Sequence, residues 1–108
     1  MSVAEEDIAF ARDIFSELGK ITSRKMMGGA TFYADGAIFA IVSGEGQIYL
    51  RSKDALAARL LSEGERKFQW ENPKTGKVGS MGYVTLPDAA LDDPALACSL
   101  AREALLEG

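Results

Sequence analysis

Apolar side chains recur at helical spacing in three parts of the chain. Residues 4–18 place six apolar side chains on one stripe with charged side chains opposite, which predicts an amphipathic helix. A second helix is predicted over residues 53–63, because Ser52 is positioned to cap its first turn. The side chains of this second helix that would face the rest of the domain are Leu56, Leu60 and Leu61.

The C-terminal segment predicts a short helical turn followed by a longer helix. The short turn opens at Pro87-Asp88, and the last helix is predicted over residues 94–106 with Asp93 as its N-cap. Cys98 lies at the edge of the apolar stripe of that helix. A lone helical cysteine is far more often a small core residue than a nucleophile, so we assign it to the core. The stripe itself consists of Leu96, Leu100, Ala101, Ala104 and Leu105.

Between the first two helices the pattern changes to that of β-strands. Asp35-Gly36 predicts a two-residue hairpin turn, because both central positions of a type I′ turn need positive φ. The turn would join strand 31–34 to strand 37–42. The nearly continuous apolar run of residues 37–42 predicts a central strand that is covered on both faces.

The remaining strands extend this hairpin into a larger sheet. They are predicted over residues 21–27, 47–51, 68–70 and 77–86, with turns at 44–46 and 72–76. Consecutive hairpins make an antiparallel meander. The sequence therefore predicts one domain over residues 1–108 with an α+β fold: about five to six antiparallel strands carrying an N-terminal, a middle and a C-terminal helix.

Two stretches of the predicted sheet are unusually poor in side chains. Gly28-Gly29 interrupts the region after the first strand, and Gly79, Ser80 and Gly82 lie in the last strand. Glycine is needed where the backbone takes positive φ, bulges, or is closely approached by another chain segment or a ligand. We favour a turn or bulge at Gly28-Gly29 and keep the ligand interpretation as its alternative.

Charge is divided along the 108-residue chain, whose net charge is −4. Residues 1–17 and residues 87–108 each contain five acidic residues and one basic residue, whereas residues 18–86 contain ten basic and six acidic residues. The terminal helices are thus acidic and the sheet region is mildly basic. No apolar run approaches the roughly 20 residues of a membrane span, and the acidic N-terminus is unlike a secretory signal. We expect a cytoplasmic protein with no membrane partner.

The residue inventory excludes several kinds of chemistry. The chain contains no histidine and one cysteine, so Ser-His and Cys-His pairs, histidine-containing zinc sites and intrachain disulfides are ruled out. No motif for a cofactor or a metal is present in the sequence. We therefore expect a protein that is not an enzyme and has no cofactor.

The basic and aromatic residues of the sheet region raise the question of nucleic-acid binding. Arg51 and Tyr49 belong to this set, and aromatic side chains on a sheet face can stack on bases. The same side chains more often pack beneath a helix. The sequence pI of about 4.8 and the lack of a helix-turn-helix pattern disfavour direct nucleic-acid binding.

The order of motifs along the chain resembles the N-terminal domain of the TfoX/Sxy family. The most specific motif is a basic pair followed by two methionines and two glycines, with Met27 where the family has phenylalanine. The matching segments are Arg24-Lys25-Met26-Met27-Gly28-Gly29, Tyr33-Ala34-Asp35-Gly36, Phe39-Ala40, Ile48-Tyr49-Leu50, Phe68-Gln69-Trp70, Ser80-Met81-Gly82-Tyr83 and Leu86-Pro87.

The resemblance implies an α+β domain without a known catalytic activity. Members of that family with two domains regulate natural competence and are thought to act with the cyclic-AMP receptor protein at promoters. A protein partner from the transcription machinery is the corresponding expectation. The chain ends at Gly108, so we expect a stand-alone first domain.

Two hypotheses for function follow. The first is a non-enzymatic regulatory or protein-interaction domain, and the second is a small-ligand-binding domain or unrecognised enzyme with a cleft beside Gly28-Gly29 and residues 79–83. A homodimer through an exposed strand edge is compatible with either. The candidate interaction or structural-motif residues are Arg24, Lys25, Gly28, Gly29, Tyr33, Ser80, Gly82 and Tyr83.

Overall fold

The structure, a computed structural model, describes residues 4–26, 28–52, 54–71, 74–76 and 78–107. The helices in these ranges are α1 (Glu5–Ile14), α2 (Ala55–Ser62), α3 (Asp88–Leu91) and α4 (Pro94–Glu107), with a 3₁₀ turn at Ser16–Leu18. The strands are β1 (Ile21–Met26), β2 (Gly29–Ala34), β3 (Ala37–Val42), β4 (Ile48–Arg51), β5 (Lys67–Glu71) and β6 (Val78–Thr85). Met27, Lys53, Asn72, Pro73 and Lys77, which the predicted elements include, lie outside the described residues.

The strands form one six-stranded sheet in the order β1-β2-β3-β4-β6-β5, and every pairing is antiparallel. The predicted α+β fold, with its meander and its N-terminal, middle and C-terminal helices, is confirmed. β1 to β4 follow one another as consecutive hairpins. After α2 the chain adds β5 at the far edge, and β6 returns to fill the place between β5 and β4.

The hydrophobic core lies between one face of the sheet and the helices. α4 packs on β3 and β4, α1 packs on β3 and α4, and α2 packs on β6. The ring of Phe15, just after α1, meets the ring of Phe39 edge-on, with 5.0 Å between ring centroids. The sheet contributes Ala30, Phe32, Phe39, Ala40, Val42, Ile48, Leu50, Val84 and Leu86 to this core.

β3 is central, but its run of apolar residues has a different cause from the one predicted. Phe32 pairs with Ala40 while its neighbour Tyr33 pairs with Ile38, so Phe39 is an extra residue in a β-bulge. Phe39 and Ala40 both belong to the helix-side core, whereas Ile38 and Ile41 are only partly buried and do not belong to it. The prediction that both faces of this strand are covered is wrong, because the bulge, rather than a second covered face, explains two adjacent buried residues.

The N-terminus of α2 also differs from the prediction. The helix begins at Ala55 with Asp54 as N-cap. The side chain of Asp54 makes no hydrogen bond to the first turn. Ser52 instead continues the sheet, since its backbone N–H donates to the carbonyl oxygen of Gly82 at 2.8 Å. Its hydroxyl donates to the carbonyl oxygen of Leu50 at 3.4 Å. The N-cap position is therefore Asp54, and the described hydrogen bonds of Ser52 are made to the sheet.

The C-terminal elements agree with the prediction. Asp93 caps α4 by accepting a hydrogen bond from the backbone N–H of Leu96 at 3.3 Å. Cys98 is buried within the helix layer, and its thiol donates to the carbonyl oxygen of Ile14 at 3.4 Å. Burial raises the pKa of this thiol above its ordinary value. The assignment of Cys98 as a core residue is confirmed.

Candidate functional site

The face of the sheet opposite the helices carries aromatic, basic and β-branched side chains. Alternation along each strand and pairing between strands place these residues together, because directly paired residues project to the same face. Among the described residues, none of these side chains belongs to the helix-side core. We call this surface the open face; its members are Arg24, Thr31, Tyr33, Ile38, Ile41, Tyr49, Arg51, Phe68 and Tyr83.

Tyr33, Arg51 and Tyr83 come together on the open face from β2, β4 and β6. Arg51 is directly paired with Tyr83, and both Arg51 and Tyr33 are half-buried while Tyr83 is buried. Burial raises the pKa of Tyr83, Arg51 opposes that shift, and the nearby Tyr33 adds to it. Tyr83 therefore stays a neutral hydroxyl at physiological pH. Arg51 and Tyr83 are therefore direct neighbours on this face, and Tyr33 lies on the same face two strands from Arg51.

A second set of side chains lies beside this group. Thr31 donates a hydrogen bond from its hydroxyl to the Tyr33 hydroxyl oxygen at 3.2 Å. Ile41 and Tyr49 are paired across β3 and β4, and the Tyr49 ring meets the Phe68 ring edge-on at 5.0 Å between centroids. The open face thus combines an apolar strip with polar groups whose positions are set by the strand register.

Charge is separated between the open face and the helix layer. β1, β2, β3, β4 and β6 contain no acidic residue, and the two arginines of the open face are Arg24 and Arg51. α1 contains four acidic residues and one arginine. Within the described parts of the chain, the ion pairs are Lys25 with Glu5 and Arg59 with Glu103, so neither Arg24 nor Arg51 is paired with a carboxylate.

The predicted pair of basic residues, Arg24 and Lys25, is exposed but divided between the two faces. Arg24 is paired with Thr31 and lies on the open face. Lys25 is paired with Ala30, a core residue, and its ammonium group forms an ion pair with Glu5 of α1. Adjacent residues in a strand project to opposite faces, so the two cations cannot act on one ligand.

Gly28 and Gly29 have separate structural reasons for being glycine. Gly28, in the turn between β1 and β2, has φ of 84°, where side chains other than that of glycine are strained. Gly29 has an ordinary φ, but a Cβ there would lie against the backbone carbonyl oxygen of Val42, far inside van der Waals contact. The turn at Gly28 is the favoured interpretation of this pair, whereas Gly29 is explained by the close approach of β3.

The glycines of β6 belong to a different end of the sheet. Gly82 has φ of 73° and lies where the register between β5 and β6 shifts, which marks an irregularity in the strand. The side chain of Ser80 lies outside the described part of the structure. Gly28 and Gly29 lie at the end of the sheet where β6 finishes, whereas Gly82 lies towards the opposite end of β6. In the described part of the sheet, Gly28-Gly29 and Gly82 therefore do not lie beside one another.

A groove of about 320 Å³ does lie beside Gly82 and Tyr83, between α2 and the β5–β6 hairpin. Asp54 and Lys67 contribute charges of opposite sign to it. Its other lining residues are Ser52, Ala57, Ala58, Leu61 and Val84. Of the predicted candidate residues whose side chains the structure describes, the groove includes Gly82 and Tyr83.

Sequence reasoning placed Tyr33 and Tyr83 among the candidates but left out Ile38, Ile41 and Arg51. The signal for Arg51 was its alternation with Leu50, which puts the arginine opposite the core. Ile38 and Ile41 carry no such signal, because the bulge at Phe39 breaks the alternation that would have shown their face. The candidate set was incomplete for this reason.

Neither a membrane span nor a metal cluster is present in the described residues. None of the helices there has both the length and the apolar character needed to cross a bilayer. No group of three or more cysteine, aspartate or glutamate side chains is arranged to hold a metal ion in that part of the chain.

The comparison with protein families agrees with the order of motifs. A family model described as the TfoX N-terminal domain matches residues 13–107, nearly the whole chain. The chain belongs to the TfoX N-terminal domain family. A search of curated proteins found no match.

The motif residues of this TfoX N-terminal domain are mostly structural. Gly28 and Gly29 set the β1–β2 turn and its contact with β3, and Asp35-Gly36 forms the next turn, with φ of 51° and 83°. The exceptions are the motif residues that contribute side chains to the open face, namely Arg24, Tyr33, Tyr49, Phe68 and Tyr83. The surface available for binding is therefore only partly covered by the residues that identify the TfoX N-terminal domain.

Proposed function

We propose that this TfoX N-terminal domain is a non-enzymatic protein-interaction domain of the transcription-regulatory kind. The observation that carries the proposal is the open face, where Ile38, Ile41 and Tyr49 lie outside the core on one face of the sheet. Aromatic side chains and arginine are enriched at protein interfaces, and apolar side chains there supply the area that a partner covers. Family membership supports the regulatory role, since two-domain members regulate competence.

Site-specific photocrosslinking in the source cell tests this proposal. A photoreactive phenylalanine analogue is introduced at Ile41 on the open face and, as the matched control, at Leu106 on the helix layer, which is 88% exposed. We expect a discrete crosslinked protein from the transcription machinery at Ile41 and none at Leu106. Identical products at both positions, or no product at Ile41, would contradict the proposal.

A small-ligand-binding function is the second candidate, and the groove between α2 and β6 favours it. Its volume of about 320 Å³ falls at the lower end of the range for ligand sites. Asp54 and Lys67 would orient a ligand carrying both a cation and an anion. A metabolite screen by ligand-observed NMR tests this function, with Ala58→Phe as the variant that fills the groove. Ligands whose signals persist unchanged in that variant do not bind in the groove.

A further inference from the structure

Arg51 is a half-buried cation that lacks a carboxylate partner in the described part of the chain. Charged side chains are seldom buried without a partner, because removal from water is costly unless a counter-charge replaces the lost hydration. The neighbouring groups do not supply that charge. Tyr83 lies directly opposite Arg51, and Tyr33 lies close to Tyr83. Both are tyrosines, which contribute a hydroxyl group rather than a carboxylate.

The hydroxyl of Tyr33 is able to donate to a ligand when Thr31 donates to it. The two hydroxyl oxygens lie 3.2 Å apart, and the hydroxyl of Thr31 also lies 3.4 Å from the carbonyl oxygen of Arg24, so the direction of the bond depends on which acceptor Thr31 uses. Burial keeps Tyr83 protonated and therefore able to donate as well. Arg51 is directly paired with Tyr83, and Tyr33 lies on the same face two strands away from Arg51. This group offers a guanidinium and tyrosine hydroxyls to the oxygens of an anion, and a guanidinium binds a carboxylate through two parallel hydrogen bonds.

We propose that the open face binds an extended, acidic peptide segment of a partner protein, with one carboxylate held at Arg51 between Tyr33 and Tyr83. The inference rests on the proposed interaction function and names the chemistry of the partner. The cations of the open face are Arg24 and Arg51, and β1, β2, β3, β4 and β6 contain no acidic residue, so this part of the face is complementary to an acidic segment. The carboxylate of Glu65, which accepts a hydrogen bond from Thr85 at 2.7 Å, lies beyond β4, on the side away from Arg24.

The second arginine of the open face sets the spacing of the acidic residues. Arg24 is in β1 and Arg51 is in β4, three strand positions away and about two residues along the strand direction. Strand spacing of about 4.8 Å and a rise of about 3.4 Å per residue put their Cα atoms roughly 16 Å apart. An extended peptide covers that distance in about five residues. The segment therefore carries two acidic residues about five positions apart, with apolar residues between them over Ile38 and Ile41.

A peptide fits this surface better than a nucleic acid does. Ile38 and Ile41 lie between the two arginines, and apolar side chains make no favourable contact with a phosphate backbone. A segment with two carboxylates and apolar residues meets both the arginines and the isoleucines.

Selection from a random peptide library displayed on phage tests the inference. The immobilised 108-residue protein is compared with Arg51→Gln and with Arg102→Gln, a matched change at an exposed arginine of α4. Both variants are first checked for native folding by circular dichroism. We expect peptides with paired acidic residues to be enriched on the wild type and on Arg102→Gln. Their affinity by fluorescence anisotropy should fall at least tenfold in Arg51→Gln.

Arg24→Gln provides a second measurement that does not depend on a half-buried site, since Arg24 is exposed. We expect peptides selected on this variant to keep the acidic residue that binds Arg51 and to show no preference for a second acidic residue at the position of Arg24. Enrichment of peptides without acidic residues, or equal affinities of Arg51→Gln and Arg102→Gln, would overturn the inference. So would a single-stranded oligonucleotide of mixed sequence that binds more tightly than the selected peptides and depends on Arg51.

The two proposals fail in distinguishable ways. If a protein is crosslinked at Ile41 but the selected peptides lack acidic residues, the interaction function is supported and the acidic partner is contradicted. If no protein is crosslinked at Ile41 and no peptide is enriched on the wild type, both proposals are contradicted.

Discussion

The carboxylate of Glu107 accepts a hydrogen bond from the backbone N–H of Leu56 at 2.8 Å. Leu56 is the second residue of α2, where a backbone N–H has no partner within its own helix. The last turn of α4 therefore caps the first turn of α2 across 51 positions of sequence. This contact replaces the cap that Ser52 was predicted to provide.

Replacing Glu107 should weaken the start of α2. Loss of a helix cap typically costs about 1 kcal/mol, so we expect Glu107→Ala to lower the free energy of unfolding by roughly that amount. Glu107→Gln should cost less, because the amide oxygen still accepts a hydrogen bond. Urea denaturation measures the change, and amide hydrogen exchange at Leu56 should accelerate in Glu107→Ala. Leu106→Ala, at a side chain that is 88% exposed, should leave both measurements near wild type.

Glu103 gives the stability a defined dependence on pH. Arg59 donates two hydrogen bonds to its carboxylate, at 2.9 and 2.7 Å, and these bonds lower the pKa of Glu103 below its ordinary value. Because the pKa of Glu103 is lower in the folded protein, its ionised carboxylate stabilises the fold at pH values above the unfolded-state pKa of about 4.3. This stabilisation is lost as the pH falls through the lower pKa of the folded protein. We expect Glu103→Gln to flatten the fall in stability between about pH 5 and pH 2.

The effect of Glu103→Gln should be small, because both side chains of the pair are partly exposed and water screens their attraction. Denaturation in 1 M salt provides the control, since a Debye length of about 3 Å should bring wild type and variant together. A difference that persists unchanged in high salt would contradict the electrostatic explanation.

Gly29 should tolerate substitution less well than Gly36. A Cβ at Gly29 meets the backbone of Val42, whereas a Cβ at Gly36 meets open space and is limited only by φ of 83°. We expect Gly36→Ala to destabilise by about 1 kcal/mol and Gly29→Ala by about 2 kcal/mol or more, because β2 and β3 must separate. Chemical denaturation of the two variants measures the difference. If Gly29→Ala destabilises the protein less than Gly36→Ala, the close approach of the Val42 backbone to Gly29 is not what requires glycine there.

The thiol of Cys98 should be protected in the folded protein. Its side chain is buried, and burial raises its pKa, so both access and the thiolate fraction are reduced. We expect a thiol reagent at pH 8 to label the native protein at least a hundred times more slowly than the urea-unfolded protein. Equal labelling rates would show that the interior around Cys98 opens readily.

The pKa of Tyr83 should be sensitive to the presence of Arg51 and Tyr33 on the open face. Arg51 lowers this pKa and Tyr33 raises it, while burial makes the largest contribution and raises it. We expect Arg51→Gln to move the pKa of Tyr83 upwards and Tyr33→Phe to move it downwards. NMR of tyrosine labelled at the ring carbon that bears the hydroxyl follows this titration. Tyr49→Phe is the control for loss of a hydroxyl elsewhere on the open face.

Local signals in the sequence predicted the local structure well. Asp35-Gly36 formed the expected turn because its backbone requirement is contained in two residues. Asp93 capped α4 for the same reason. The strand order β4-β6-β5 was not predictable, because it depends on pairing between segments separated by α2 and by a hairpin.

The open face was harder to predict than the fold. An apolar run in β3 fits either a strand with two covered faces or a strand with a bulge, and the sequence does not distinguish them. Ser52 matched a helix cap as well as it matched a strand end, and the hydrogen bond to Gly82 from a distant segment decided between them. In both cases a contact that is remote in sequence determined the outcome.

The separation of charge between the helix layer and the open face also has a kinetic consequence. Acidic helices on one side and arginines on the other give the molecule a permanent dipole across the sheet. A charged partner exerts a torque on such a dipole before contact, which turns the open face towards it and raises the frequency of productive encounters. Ionic strength should therefore change how fast this domain finds an acidic partner more than how long the two stay together.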